Sequence, residues 1–162
     1  MLCREPFIVY PSPFTEKLMS QNFFSDSHKA DIVKAIQAAE LNSSGEIRVH
    51  IEKICPTENV LDRAAEVFVN IGMNNTSQSN GVLFYLSVDD HKFAVLGDKG
   101  IDKVVPRNFW ESTKTLLKIH FSQGLFAEGL VKGIHLAGEQ LKQFFPYQTN
   151  DLNELPDDIS FG

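Results

Sequence analysis

Four aspartates, Asp89, Asp90, Asp98 and Asp102, punctuate two short apolar runs in the stretch Asn80 to Asp102, NGVLFYLSVDDHKFAVLGDKGID. Carboxylates and loop carbonyls are the donors that hard divalent cations select, about six to eight oxygens for Ca²⁺. A glycine on either side of an aspartate, as in Gly97-Asp98-Lys99-Gly100, lets a loop turn its carbonyls toward one point. Glu46, at the head of a strand expected beside these runs, and Asn80 extend the candidate donor set. Ordinary turn chemistry fits the same residues. Asp hydrogen-bonds its own backbone in hairpin turns and at strand ends, and without an EF-hand order of ligands spacing alone favours that role.

Other chemistry finds little support in the residues. Phosphoryl transfer needs an activated nucleophile or metal ions that polarise the phosphoryl oxygen. The chain has neither a Cys-x5-Arg loop nor a DxDx motif. Hydrolysis would have to run through a metal at the carboxylate loop, with Lys92 or Lys99 offering charge to the phosphoryl oxygens. His28, His50, His91, His120 and His135 show no HExxH or paired spacing and read as surface or partly packed residues, His91 alone falling at the acidic turn. Cys3 and Cys55 are too few for a zinc site and read as structural thiols of a reducing compartment. Gly97 to Gly100 lacks the GxGxxG pattern of a phosphate cradle.

Composition narrows the class. A chain of 162 residues with 43% hydrophobic and 22% charged content suits one globular domain with a single core. A net charge of -6 with no basic stripe disfavours a nucleic-acid partner, whose phosphates call for clustered Lys and Arg. The N-terminus lacks the pattern of a secretory signal, and no run reaches the apolar length of a membrane helix. The expectation is a soluble, cytoplasmic protein without a membrane anchor.

The elements that must position these residues follow from periodicity. Residues 1–22, with Pro6, Pro11 and Pro13, read as an irregular arm, residues 23–145 as the domain and residues 146–162 as an acidic tail. A helix starts at a hydroxyl cap, Ser25 or Ser27, with Ile32, Val33, Ile36 and Ala39 at helical spacing, and stops at Asn42-Ser43-Ser44-Gly45. Glu46 to Ile54 alternates, which predicts a half-buried strand. Pro56-Thr57 opens a second helix that Gly72 closes. The runs about Val82–Val88 and Phe93–Leu96 predict a hairpin, whose first strand is parallel to the Glu46 strand through a helical crossover. Two further helices follow Pro106, the last containing Gly129, Gly133 and Gly138, which cost about 1 kcal/mol each relative to Ala unless close packing compensates. The tail can dock through Leu152, Leu155, Ile159 and Phe161.

Gly45-Glu46-Ile47, Asn80-Gly81-Val82-Leu83, Gly97-Asp98-Lys99-Gly100-Ile101 and the spacing of Gly124, Gly129 and Gly133 together resemble the TPM domain family, named for thylakoid-lumen, photosystem-repair and levamisole-receptor-modulating proteins. The closing NELPDDISFG is similar to the tail of short, free-standing bacterial members. The resemblance implies an α/β fold, an αβα sandwich with a small mixed β-sheet covered by helices. It also implies calcium binding in at least some members and the phosphatase activity proposed for plant relatives. It makes Ca²⁺ the expected ligand of Asp89, Asp90, Asp98 and Glu46, with Asn80 and Asp102 as weaker donors, in a stress or assembly factor. Two alternatives stay open, a metal-dependent acid phosphatase acting on phosphomonoesters and a metal-free scaffold for an unknown protein partner.

Overall fold

The computed structural model describes residues 20–162. The N-terminal arm expected over residues 1–22 lies almost wholly outside them. The first helix, α1 (Asp26–Glu40), begins where Ser25 Oγ accepts the His28 N–H at 3.1 Å. Its buried Ile32, Ala35, Ile36 and Ala39 form one stripe, because residues three and four apart share a helix face. The chain then enters β1 (Glu46–Glu52) and, after a loop, α2 (Val60–Asn70), capped by Asn59 Oδ1 rather than at Pro56-Thr57. Gly72, at φ +78°, closes that helix. Only glycine takes this backbone region without a Cβ penalty.

The hairpin joins β2 (Gly81–Ser87) to β3 (Lys92–Gly97), with His91 at φ +53° in its turn. A short helix, α3 (Lys99–Asp102), follows at once, where sequence predicted only a loop. Then come α4 (Glu111–Ser122), α5 (Phe126–Leu141) and a final strand, β4 (Ile159–Phe161). The sheet order is β3-β2-β1-β4, with β1 parallel to β2 and to β4, and β2 antiparallel to β3. The expected mixed sheet is therefore present, enlarged by a strand from the tail.

Both faces of the sheet are covered, which makes the architecture an αβα sandwich. Ile47, Val49 and Ile51 of β1 with Val82, Phe84 and Leu86 of β2 pack against Ile32 and Ile36 of α1, Leu117 of α4 and Leu130 and Ile134 of α5. On the opposite face Leu83 and Tyr85 meet Ala64, Val67 and Phe68 of α2, together with Leu155 of the tail. The α5 glycines earn their place here. A Cβ on Gly138 would stand 2.7 Å from Ala39 Cβ of α1, and one on Gly133 would stand 2.8 Å from Leu117 Cδ2 of α4.

The sequence expectation of a half-buried β1 is corrected. All seven of its residues are buried, including Glu46, Arg48, His50 and Glu52. Alternation placed those four on one face, and the tail together with α2 then closed that face off from water.

Candidate functional site

The six candidate donors divide between two ends of the sheet. β1 and β2 run parallel with Glu46 opposite Gly81 and Glu52 opposite Ser87, and β3 returns so that Gly97 lies opposite Val82. Glu46, Asn80, Asp98 and Asp102 thus share the end where β1 and β2 begin, while Asp89 and Asp90 occupy the end where they finish. A 7-residue strand separates the two groups, which at about 3.3 Å per residue is about 20 Å. One ion cannot gather all six, contrary to the expectation from sequence, because a hairpin puts its turn and its open end at opposite edges of the sheet.

At the turn, the carboxylates are already committed. Asp89 pairs with Lys53, and Asp90 accepts from Ser87 Oγ and from the Cys55 N–H at 3.2 Å, with Lys92 Nζ at 3.8 Å. These contacts tie the turn to the β1–α2 loop, which is the turn role that spacing favoured.

At the other end, the four donors fare differently. Glu46 is 4% exposed, and its two oxygens accept the N–H groups of Glu154 at 3.0 Å and Leu155 at 3.3 Å, so its carboxylate holds the tail. Burial raises its pKa above the usual carboxylate range, although those two N–H bonds pull the other way. Asp102 is exposed at the end of α3. Asp98 caps α3, its Oδ1 accepting the Lys99 N–H at 2.7 Å, whereas Oδ2 is buried with no hydrogen-bond partner. Asn80 is fully buried. Its Nδ2 donates to the Ser44 carbonyl at 2.8 Å and its N–H to Thr76 Oγ1 at 3.1 Å, yet Oδ1 has no partner.

Asp98 and Asn80 come from two segments laced together. The Asp98 N–H donates to the Gly81 carbonyl and the Gly100 N–H to the Ser79 carbonyl, both at 2.9 Å. Gly100 is the residue that permits this approach, since a Cβ there would lie 2.2 Å from the Gln78 carbonyl oxygen and 2.5 Å from that of Ser79. Buried polar atoms are nearly always hydrogen-bonded, which sets apart these two side-chain oxygens on neighbouring segments, as it does Arg48 Nε and His50 Nε2 elsewhere on the sheet. No group of three or more acidic, His or Cys side chains poised for a metal occurs among the described residues. An ion at this end would therefore draw on Asp98, Asn80, main-chain carbonyls and water.

Sequence reasoning missed a polar cluster on the α2 face of the sheet. Glu52 receives Arg63 Nε at 3.2 and 3.1 Å as well as Arg63 Nη2, and it accepts the Tyr85 hydroxyl. Burial acts to raise the Glu52 carboxyl, but the surrounding His50, Arg63 and Tyr85 side chains outweigh it and hold it down at about 2. Tyr85 is pushed up by its own burial and by the hydrogen bond to Glu52. His50 Nδ1 lies 2.7 Å from Ser160 Oγ, and Arg48 reaches Asp158 at 2.6 Å and the Ile71 carbonyl at 3.1 Å. The signal was present in the unbroken alternation of charge along β1, but its partners come from α2, β2 and the tail, far away in sequence.

A small mixed sheet walled by helices on both faces, with a glycine-shaped acidic turn at its open end, defines a compact α/β sandwich module. The chain belongs to the TPM domain family, whose model matches residues 19–140. The BA42 protein of the psychrophilic bacterium Bizionia argentinensis is similar in solution structure, with 45% identity over 88% of this chain and 97% of that one, at a TM-score of 0.82. The N-terminal domain of a P. gingivalis protein shares the fold at 18% identity and a TM-score of 0.65, over 80% of this chain and 84% of that one. No curated protein matches the sequence. No helix among the described residues is long and apolar enough to cross a membrane.

Proposed function

We propose that this TPM domain binds a divalent cation, Ca²⁺ first among them, at the Asp98 end of the sheet. The observation that carries the proposal is the pair of buried, unpartnered oxygens, Asp98 Oδ2 and Asn80 Oδ1, on segments tied by two main-chain hydrogen bonds. A cation supplies the positive charge that such oxygens lack, and oxygen donors suit a hard ion. Of the six residues proposed from sequence, Asp98 and Asn80 keep the role and Asp102 stands near enough along the chain to contribute. Glu46, Asp89 and Asp90 are assigned to structure. A reducing compartment is in keeping with the free, buried Cys55 thiol.

A residue-resolved NMR titration of chelator-stripped protein with calcium tests the site. Saturable shifts at residues 78–81 and 97–102, abolished by Asp98→Asn, are expected. Shifts at Asp89 and Asp90 alone, or none at millimolar calcium, would sink the assignment. Hydrolysis of a generic phosphomonoester in the same samples tests the phosphatase alternative, and the absence of both effects would leave a metal-free scaffold.

A further inference from the structure

Three half-buried phenylalanines line one cavity at the hairpin-turn end of the sheet. Phe93 is the second residue of β3, Phe121 lies in the last turn of α4 and Phe126 is the first residue of α5. Phe121 meets Phe93 edge to face at 5.3 Å between ring centres and lies tilted against Phe126 at 5.4 Å. Gly124, at φ +75°, makes the turn between the two helices that brings Phe126 back to Phe121. The buried Leu86 of β2 completes the apolar wall of a cavity of about 440 Å³. Small-molecule sites are of this kind, about 300–1,000 Å³ of mostly apolar wall with a few placed polar groups.

The titratable groups at this cavity are basic. Lys118, Phe121 and Ser122 share one face of α4, because residues three and four apart are neighbours on a helix, and His91 joins them from the hairpin turn. Ser122 Oγ is engaged, donating to the Ile119 carbonyl at 2.8 Å. Lys118 is exposed and has no ion pair or hydrogen bond among the described residues. The turn's own acids are held elsewhere: Asp89 by Lys53, and Asp90 by Ser87 and the Cys55 N–H, and neither lines the cavity. Other cavities differ. The one at the opposite end of the sheet is walled by Glu40, Glu46, Asp151 and Asp157, with burial pushing Glu40 up to about 9. Two more beside α1 take in Glu128. In a chain of net charge -6, an apolar cavity that carries a lysine and a histidine and no carboxylate is suited to an anion.

We propose that this cavity binds a small aromatic carboxylate, its ring system among Phe93, Phe121 and Phe126 and its carboxylate paired with Lys118, with His91 as a second donor. Rings set at right angles and at a tilt suit an aromatic body, since aromatic groups prefer edge-to-face and offset contacts. A flat ring system also fills the space without rotors to immobilise, whereas a flexible chain loses freedom on entry. The lysine ammonium is a point charge on a flexible stem, able to follow a carboxylate at the mouth. The site shares no residue with Asp98 and Asn80 and lies at the opposite end of the sheet, so it stands independently of the cation proposal.

A residue-resolved NMR titration of the full chain with 2-naphthoate tests the site, with 2-naphthamide as the neutral counterpart and octanoate as an aliphatic acid. Saturable 2-naphthoate shifts at Leu86, His91, Phe93, Phe121 and Phe126 are expected, with a dissociation constant of about 1 mM or tighter. The other two compounds should each bind about fivefold more weakly, the amide for want of charge and octanoate for want of ring contacts. Lys118→Gln should weaken 2-naphthoate by about fivefold and leave 2-naphthamide unchanged. Lys118 is exposed and unpaired, so this variant keeps its fold, and the amide serves as its internal control. Equal affinity for acid and amide, octanoate as tight as 2-naphthoate, or an unaltered Lys118 variant would each overturn the proposal. So would shifts confined to His28 and Leu125 in the neighbouring cavity, or no saturation at about 10 mM.

Discussion

Replacing Glu52 with Gln removes the charge at the centre of the polar cluster while keeping its shape. The Glu52 side chain is 5% exposed and that of Arg63 23%, so the change leaves a mostly buried guanidinium with only the exposed Glu66, 2.9 Å from its Nη1, as counter-charge. Breaking a buried ion pair from one side costs about 3–5 kcal/mol. A second route gives a similar size. The Glu52 carboxyl falls from 4.5 to about 2 on folding, and at about 1.4 kcal/mol per pH unit this is about 3 kcal/mol of stability at neutral pH. Water reaching Arg63 trims both figures, so we expect a loss of about 2–3 kcal/mol at pH 7. Because the folded pKa is depressed, this contribution is fully present above about pH 4.5 and is lost as pH falls toward 2. Urea denaturation of both proteins at pH 7, 5 and 3 measures it. The difference between the two proteins is the useful quantity, since Glu40 and Glu46, whose raised values act in the opposite sense, titrate equally in each. A difference below about 0.5 kcal/mol at pH 7, or one that persists unchanged to low pH, would refute the claim that Glu52 is held ionised by its neighbours.

Gly138→Ala gains helix propensity but drives a methyl group against the Ala39 backbone and Cβ of α1, and a net loss of about 1–3 kcal/mol is expected in thermal denaturation. The double change with Ala39→Gly should recover most of it. Gly100→Ala meets two main-chain carbonyls rather than a flexible side chain, so it should destabilise by about 1–3 kcal/mol and diminish calcium-induced shifts at Asn80 and Asp98, read by denaturation and NMR on the same sample. Retention of wild-type stability and calcium response by the Gly100 variant would remove that glycine from the site.

Much of the sandwich was legible because it is written in local periodicity. The stripe Ile32, Ala35, Ile36 and Ala39, the apolar run from Val82 to Leu86 and the glycines of α5 each demand one kind of neighbour, and the tertiary structure supplies it. The motifs around Glu46, Asn80 and Asp98 were enough to indicate the family. The boundary of α2 shifted by a few residues because Asn59 caps better than Pro56-Thr57 opens, and α3 was missed because one turn of helix has no periodicity to read. The strand β4 was missed for a different reason. Three residues of backbone pairing are stabilised by Arg48, His50 and Glu46, about a hundred residues away, and not by anything in their own sequence.

The sequence by itself therefore determined which residue types lie at strand ends and which faces are apolar, since both depend on spacing along one chain. Only the tertiary structure decided which carboxylates meet. Strand direction placed Asp89 and Asp90 about 20 Å from Asp98, tail docking consumed the oxygens of Glu46, and packing of α2 on the sheet brought Glu52 against Arg63. Those pairings arise from segments distant in sequence, and the free energy of a carboxylate depends on its partners and its exposure to water, neither of which is local.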